Sequence, residues 1–299
     1  MSMMKIEHLT KDYGNGKGIF DISMQIRKGE VYGYLGPNGA GKTTTIRHLM
    51  GFIKQQDGSA YIRHKNCWTK QKEIQKIVGY LPGEIAFPSD MKAKTYIHMI
   101  AKMRHMKNYH RMEELIQRFE LDTDVKLSKM SKGMKQKVGI ITAFMHEPQL
   151  LILDEPTSGL DPLMQQRFVE LVEEEKKKGT TILMSSHMFE EVERTCTKIA
   201  IIKNGRIIEE KNAEELRHAR KKSYKIEFFD KEEFDLMCRL PFEKTQVISE
   251  QLQLIVHVED MNINVLLRAL SQFHLKYLKE VKHSLEEYFM QFYGGEKHD

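Results

Sequence analysis

The sequence predicts an α/β protein in which a large domain, built on a mainly parallel β-sheet, precedes a small α+β domain. The chain has 299 residues, a length that corresponds to about two domains. Short apolar segments alternate with helical patterns as far as about residue 217, and the pattern changes after a basic break. With 40% hydrophobic and 30% charged residues, the composition supports a buried core and excludes a disordered chain.

The large domain, 1–217, is predicted from apolar segments that each precede a helical pattern. Segment 31–35 leads into a helix over 41–50, and segment 150–153 contains only large apolar residues, which is typical of a strand buried on both faces. Further strands are predicted at 76–81, 180–185, 198–203 and 206–209, a helix at 167–178, and a helical subdomain over about 84–146. Strands that alternate with helices indicate a mixed, mainly parallel sheet.

A polar, basic segment separates the two domains. Residues 218–223 read HARKKS, which predicts a solvated linker; an anion-binding patch is the alternative. The small domain, 224–299, is predicted to have half-exposed strands at 224–229 and 252–259 and amphipathic helices at 262–273 and 284–292. Its residues do not have the spacing of a chemical site.

Charge, cysteine content and hydropathy exclude several kinds of protein. The net charge of +5 falls well short of the dense basic footprint of nucleic-acid-binding proteins, so we expect no nucleic-acid partner. The three cysteines, Cys67, Cys196 and Cys238, are scattered, which disfavours disulfides or a zinc site and favours a reducing compartment. The longest apolar runs, such as 138–145, are much shorter than the ~18 residues of a membrane span. We therefore expect that any membrane crossing belongs to a partner.

A phosphate-binding loop is predicted at 36–44, which reads GPNGAGKTT and matches the pattern GxxxxGK[ST] between a strand and a helix. Small residues let the backbone wrap around a phosphate chain, so that N–H groups and the positive end of the helix dipole face it. Lys42 is predicted to reach the β- and γ-phosphates of ATP, and the Thr43 hydroxyl to bind Mg²⁺. The nucleotide-binding residues predicted here are Gly36, Asn38, Gly39, Ala40, Gly41, Lys42, Thr43 and Thr44.

Two acids end the apolar segment 150–153. Ligands of open α/β folds bind at the carboxyl ends of the strands, where Asp154 and Glu155 are expected to lie. Asp154 is predicted to hold Mg²⁺, and Glu155 to polarise the attacking water as a general base. Acids at a strand end can also serve only for solubility; the phosphate-binding loop in the same chain favours the catalytic interpretation.

Three further motifs carry a resemblance to a known family. Residues 129–136 read KMSKGMKQ, residues 158–161 read SGLD, and His187 follows the predicted strand 180–185. Together with the two preceding motifs, they make residues 3–217 resemble the nucleotide-binding subunits of ABC transporters. The resemblance implies a P-loop ATPase fold of the ABC type, ATP and Mg²⁺ as cofactors, and a separate integral-membrane permease as partner. It also implies a peripheral position on the cytoplasmic face of the membrane and a second ATPase subunit, for which we favour a homodimer over a heterodimer.

The resemblance also implies roles for single residues. Tyr13 would stack on adenine; a loop tyrosine that covers a sheet edge is the alternative. Ser131 and Gly133 would contact the γ-phosphate of ATP bound to a second copy, from the N-terminus of a helix. Asp161 would lie in the loop that links the two sites of the dimer. His187 would contact the γ-phosphate, and a structural histidine is the alternative.

The sequence departs from the family pattern in two places. The signature, commonly LSGGQ, reads MSKGM at 130–134, a variant that resembles a bacterial exporter-type group. Many members carry a Mg²⁺-binding glutamine at the position of Gly83, and the carboxylate of Glu84 is a candidate replacement as a metal ligand. The segment SLEEYF at 284–289 resembles the accessory domain of the same group, with an ordinary amphipathic terminal helix as the alternative.

The predicted function is ATP hydrolysis that powers a separate permease, which exports a drug, peptide or lipid. The alternative is a soluble ABC-type ATPase that acts on ribosomes or DNA. Translation factors of that type usually carry two cassettes in one chain, and DNA-repair members insert a coiled coil for which the distance from Thr43 to Ser131 is too short. A third class, a non-catalytic regulatory subunit, is disfavoured by the intact Lys42, Asp154, Glu155 and His187.

Overall fold

The computed structural model describes residues 2–213, 222–259 and 262–281. The chain separates into two compact units, Met1–Ala213 and Glu214–Asp299. Each unit has a hydrophobic core of its own. Within the described part of the chain, no helix combines the length and the apolar character that a membrane span requires.

The large unit contains ten strands and seven α-helices in its described residues. The strands are β1 (Ser2–Asp12), β2 (Gly18–Arg27), β3 (Val31–Leu35), β4 (Asp57–Ile62), β5 (Lys65–Asn66), β6 (Val78–Leu81), β7 (Leu150–Asp154), β8 (Thr181–Ser186), β9 (Lys198–Lys203) and β10 (Arg206–Asn212). The helices are α1 (Lys42–Leu49), α2 (Gln71–Gln75), α3 (Ala93–Met103), α4 (His110–Arg118), α5 (Lys132–Phe144), α6 (Pro162–Lys177) and α7 (Phe189–Thr195).

A six-stranded sheet positions the functional residues. Its order is β10-β9-β3-β8-β7-β6, and all neighbours are parallel except β10 and β9. Every residue of β3, β7 and β8 is buried, as expected for parallel strands covered on both faces. The prediction of a mixed, mainly parallel sheet is confirmed, and its parallel strands direct their carboxyl ends to one edge.

The sequence did not predict the second sheet of this unit, which is antiparallel and has the order β2-β1-β4-β5. Register shifts interrupt the pairing of β1 with both β2 and β4, so the alternation of buried and exposed positions along β1 is irregular. Bulges of this kind weaken the period-2 signal on which strand prediction depends.

Helices α3 and α4 both pack against α5, and α5 in turn packs against β6 of the large sheet. The buried residues of α3 and α4 are alanines and larger apolar residues, among them Ala93, Ile97, Ala101 and Leu115. Helix α5 therefore connects the helical region to the six-stranded sheet that carries the functional residues.

The small unit has a βαββαβ order. Its elements are β11 (Lys222–Phe228), α8 (Lys231–Arg239), β12 (Glu243–Ile248), β13 (Gln253–Val258), α9 (Ile263–Leu270) and β14 (Leu275–Val281). The strands form an antiparallel sheet in the order β12-β13-β11-β14, which is the ferredoxin-like arrangement. Alternate residues of β11 and β13, such as Ile226 and Val256, form its core with both helices.

The structure corrects the boundary that the basic segment suggested. Lys222 and Ser223, predicted as the end of a solvated linker, belong to β11, and Ser223 is fully buried. Residues 218–221 and the predicted helix at 284–292 lie outside the described residues.

Truncation of Leu151, which is 0% exposed in β7, tests the core beneath the site. We expect Leu151→Ala to lower the free energy of unfolding of the large unit by ~2–5 kcal/mol, because it leaves a cavity. Urea unfolding can be followed by the fluorescence of Trp68, the single tryptophan of the chain. Met103→Ala is the control: this side chain is 68% exposed, and a change within about 0.5 kcal/mol is expected. Equal losses in the two variants would contradict the assignment of β7 to the core.

Candidate functional site

The loop 36–41 joins β3 to α1 and is held by the end of β8 and by the turn between β9 and β10. The Gly36 N–H donates to Ser186 O at the end of β8 (3.3 Å), and the Gly205 N–H donates to Ala40 O (2.9 Å). Gly41, which precedes the first residue of α1, has φ +111°, and a Cβ there would lie 2.7 Å from Ile19 Cγ2. Glycine is therefore required at this position, and the loop is fixed at the N-terminus of the helix.

Lys42 projects its ammonium group back into this loop, although the side chain is only 6% exposed. Its Nζ donates to Gly36 O (2.5 Å) and Pro37 O (3.1 Å) and lies 3.0 Å from Glu155 Oε1. A buried ammonium that is surrounded mainly by neutral carbonyl oxygens can exchange them for the oxygens of a phosphate chain.

Asp154, at the end of β7, is fully buried and joins three elements. Its Oδ2 accepts from Thr43 Oγ1 of α1 (2.7 Å), and its Oδ1 accepts from Ser185 Oγ of β8 (2.5 Å). Burial, together with the nearby charge of Asp154, raises the pKa of Tyr80 to about 12. A hydroxyl and a carboxylate side by side provide the hard oxygen donors that Mg²⁺ prefers.

Gly83 lies beside this pair, since a Cβ built on it would be 3.1 Å from Asp154 Oδ2. A side chain at this position would thus reach the candidate metal ligands, and glycine leaves them open. The neighbouring Glu84 is exposed. Its predicted role as a replacement metal ligand stays a prediction.

Glu155 has a backbone conformation that non-glycine residues rarely adopt, with φ +49°. Its N–H donates to both Ser185 O (3.2 Å) and Ser185 Oγ (3.1 Å), which hold this conformation. Its side chain is directed towards His187, whose Nδ1 lies 2.5 Å from Glu155 Oε2. Strained residues of this kind concentrate at functional sites, because the surrounding contacts over-determine them.

Two buried residues that support this arrangement were not predicted from the sequence. Ser185, 0% exposed, bonds to both Asp154 and Glu155. Gln136, 2% exposed in α5, donates from Nε2 to Glu155 O (3.2 Å) and Pro156 O (2.8 Å). Each is a polar residue in an otherwise apolar position, which is the one signal that could have identified it.

The turn at the start of α5 packs closely on the loop 158–161. Ser131 caps the helix, since its Oγ accepts from the Met134 N–H (3.2 Å). Lys132, which replaces a glycine of the common signature, donates from Nζ to Ser158 Oγ (2.7 Å). A Cβ on Gly133 would lie 2.6 Å from the carbonyl oxygen of Gly159, so this close approach requires glycine.

Asp161 caps the next helix, α6, because its Oδ1 accepts from the Met164 N–H (3.0 Å). The loop 158–161 is thus fixed at both ends, by the turn of α5 and by its own cap. The structure places Ser131, Gly133 and Asp161 in one group, which Gln136 of α5 connects to Glu155.

Tyr13 lies in the loop between β1 and β2 and is 54% exposed. The Lys11 Nζ is 5.7 Å from its ring centroid. This loop ends at Gly18, whose carbonyl oxygen would be 3.2 Å from a Cβ on Gly41. An open aromatic face therefore lies on a loop that adjoins the phosphate-binding loop, as stacking on a nucleotide base requires.

Comparisons with known proteins agree with this geometry. A family model described as ABC transporter matches residues 19–158. The chain is 33% identical to the bacitracin transport ATP-binding protein BcrA of Bacillus licheniformis, over 81% of this chain and 80% of that protein. It resembles the structure of an ATP-binding subunit of an ABC transporter with a TM-score of 0.65 and 29% identity, over 73% of this chain and 92% of that one.

A dimeric ATP-binding cassette in a post-hydrolysis state, bound to ADP and Pi, has the same fold, with a TM-score of 0.63 and 22% identity over 71% of this chain and 99% of that one. These relatives give no support to an ATPase that acts on ribosomes or DNA. The chain belongs to the ATP-binding subunits of the ABC transporter family.

Proposed function

We propose that this chain is the Mg²⁺-dependent ATPase of an exporter, which works as a homodimer beneath a separate permease on the cytoplasmic face of the membrane. The observation that carries the proposal is the connected cluster in which Lys42 contacts Glu155, Glu155 contacts His187, and Thr43 contacts Asp154. These residues supply the groups that phosphoryl transfer to water requires, which are hydrogen-bond donors to the phosphates, metal ligands and a general base.

The donor set around Asp154 fits Mg²⁺. Thr43 and Asp154 would hold the ion through oxygen atoms, and the open position beside Gly83 leaves room for water or for the Glu84 carboxylate. When bound, the ion neutralises charge on the β- and γ-phosphates. The Ser185 hydroxyl, which bonds the second oxygen of Asp154, orients the carboxylate towards Thr43.

Lys42 and Glu155 neutralise each other at 3.0 Å in this arrangement. As the phosphate chain of ATP enters the loop, the ammonium of Lys42 turns to it, and Glu155 Oε1 becomes free. Glu155 then accepts a proton from the attacking water, and His187, bonded to the other carboxylate oxygen, keeps the base in place. ATP binding thereby activates the base that hydrolyses it.

A second copy supplies the group at the start of α5. Ser131 and Lys132 are exposed and lie at the N-terminus of α5, which attracts anions, so they are suited to the γ-phosphate of ATP bound to a partner subunit. The related dimeric cassette that contains ADP and Pi supports this arrangement. We favour a homodimer because one chain carries both the phosphate-binding loop and the signature turn.

Export is proposed from the relatives and from the signature variant MSKGM at 130–134. BcrA is named a bacitracin transport ATP-binding protein, and its identity with this chain extends over most of both sequences. The cargo class that we propose is a drug, an antimicrobial peptide or a lipid. The helical region 84–128 is the part that we propose to contact the permease.

The variant Glu155→Gln tests the catalytic assignment. Because it removes the base but retains the phosphate contacts, we expect hydrolysis to fall by at least about a hundredfold, and a dimer to accumulate with saturating Mg·ATP. Size-exclusion chromatography with light scattering measures the dimer, and phosphate release measures turnover.

Lys42→Ala is the matched control, because it removes the phosphate contact and should give neither dimer nor turnover. A Glu155→Gln chain that stays monomeric in saturating Mg·ATP would contradict the proposed dimer. Wild-type turnover in Lys42→Ala would show that the loop 36–44 is not the nucleotide site.

The permease can be identified with the same Glu155→Gln variant. We expect the tagged full-length chain, incubated with Mg·ATP and solubilised native membranes, to retain a polytopic membrane protein that mass spectrometry identifies. Lys42→Ala should retain much less of this membrane protein, because we expect the ATP-bound dimer to be the form that binds the permease. Recovery of ribosomes or DNA-associated proteins without a membrane protein would overturn the transporter assignment.

The role of Glu84 is tested by Glu84→Ala. If its carboxylate replaces the missing glutamine at Gly83, the Mg²⁺ concentration for half-maximal ATPase activity should rise by at least about tenfold, since loss of a residue that only supports the ligands of a metal site already has an effect of that size. Asp90→Ala, which removes another exposed acid of the same loop, is the control. Unchanged Mg²⁺ dependence in Glu84→Ala would exclude the carboxylate as a ligand.

A further inference from the structure

Glu191 is a buried acid for which the motifs of the sequence provide no role. It lies on α7 and is only 5% exposed. Its Oε2 accepts from Ser186 Oγ (2.8 Å) and from Thr157 Oγ1 (3.2 Å). Its other oxygen, Oε1, is buried and has no hydrogen-bond partner in the described part of the chain.

The two donors to Glu191 lie on segments that are remote in sequence and adjacent at the site. Thr157 follows Glu155 by two residues, after β7, and Ser186 immediately precedes His187, at the end of β8. Glu155 and His187 are bonded to each other on the nucleotide side. The Glu191 carboxyl therefore forms a second connection between the same two segments, beneath the catalytic pair.

We propose that Glu191 is a positioning residue for ATP hydrolysis, whose carboxyl holds together the two segments that carry Glu155 and His187. The proposal rests on the roles assigned above to those two residues. Burial of a carboxyl with one unsatisfied oxygen is costly for the fold, and two hydroxyl donors compensate only part of that cost. A residue that served packing alone would be better apolar at this position, so its polar contacts account for its presence.

The contacts around Glu191 extend to the turn between β8 and α7. Ser186 Oγ accepts from the Met188 N–H (2.9 Å), so the same hydroxyl that donates to Glu191 also shapes the turn that contains His187. Thr195 Oγ1 donates to the Glu191 carbonyl oxygen one turn later (2.7 Å). Loss of the carboxyl would release Thr157 and Ser186 together and let Glu155 and His187 separate.

Charged groups near Glu191 are few, so its ionisation can be followed. The pKa of Glu191 is raised to about 7: burial and, to a smaller extent, the charge of Glu155 raise it, and the hydrogen bonds from the Ser186 and Thr157 hydroxyls offset part of that rise. The side chain of His187 is bonded to Glu155. The Lys176 Nζ of α6 donates to Thr195 O (3.2 Å), and Glu190, on α7 itself, is exposed. Near neutral pH the carboxyl exchanges between its neutral and charged forms.

The experiment compares Glu191→Ala and Glu191→Gln in the full-length protein, with Glu190→Ala as the control on the same helix. In Glu191→Ala we expect kcat for ATP to fall by about ten- to a hundredfold, the size of effect that a small misplacement of catalytic groups produces. The affinity for a fluorescent ATP analogue should stay within about twofold, because Glu191 does not contact the phosphate-binding loop. Glu191→Gln keeps an acceptor oxygen for both hydroxyls and should restore kcat to within about threefold of wild type.

The pH dependence provides a readout that packing alone would not change. The pKa of Glu191 in the folded state lies above its ordinary value, so the folded state binds the proton more tightly than the unfolded chain does. The stability that the bound proton contributes is lost as pH rises from the ordinary pKa towards 7. Glutamine does not ionise, so Glu191→Gln should gain stability relative to wild type between pH 5 and pH 8, and its kcat should lack the component that titrates near 7 in the wild type.

Parallel assays of Glu155→Gln separate this proposal from the proposed function. If Glu155→Gln is inactive and Glu191→Ala turns over like wild type, only the positioning role is wrong. If kcat and nucleotide affinity fall together in both Glu191→Ala and Glu191→Gln, Glu191 serves the fold alone and the proposal is overturned. Wild-type turnover in Glu155→Gln would overturn the proposed function itself.

Discussion

The two hydrogen bonds of the Asp154 carboxylate are the contacts on which the rest of the site depends. This carboxylate is buried at the end of a strand in which every residue is buried, and it bonds Thr43 on one side and Ser185 on the other. A charge in such a place is tolerated only when it is paired or fully hydrogen-bonded, so α1, β7 and β8 must adopt a single relative arrangement. Under the proposed function the Asp154 carboxylate and the Thr43 hydroxyl would also hold Mg²⁺, so that one contact would serve both the fold and the chemistry.

Helix α5 extends this arrangement away from the nucleotide. Its first turn packs against the loop 158–161, its Gln136 bonds the backbone at Glu155, and its outer face packs against the helices of the region proposed to contact the permease. A displacement of α3 and α4 therefore acts on α5 first. Through Gln136, it would act on the backbone of Glu155, the proposed base, and this contact would give a physical route between the proposed membrane partner and hydrolysis.

The sequence predicted those parts of the site whose chemistry depends on local order along the chain. The phosphate-binding loop and the acids that follow β7 were predictable because small residues, a helix start and a buried strand leave strong patterns. Ser185 and Gln136 were not predictable, since each acts through a contact with a residue remote in sequence. The antiparallel sheet was missed because bulges in β1 disturb the alternation of buried and exposed residues. Ser223 was assigned to a solvated linker because its neighbours are polar, although the side chain is buried in β11.

The least stable features of the site lie at residues for which we propose a role in catalysis. Glu155 has a left-handed backbone, Lys42 is held in a buried position by carbonyl oxygens, and Glu191 has an unsatisfied buried oxygen. Each feature costs free energy that a more regular sequence would avoid, and together they surround one small volume at the carboxyl edge of the sheet. Binding of a polyanion and its cation would relieve the second, because phosphate oxygens would replace the carbonyl oxygens around the ammonium of Lys42. Glu191 lies too deep to be relieved by the ligand, so its cost persists in every state and is best explained by the alignment that it maintains between the base and the histidine.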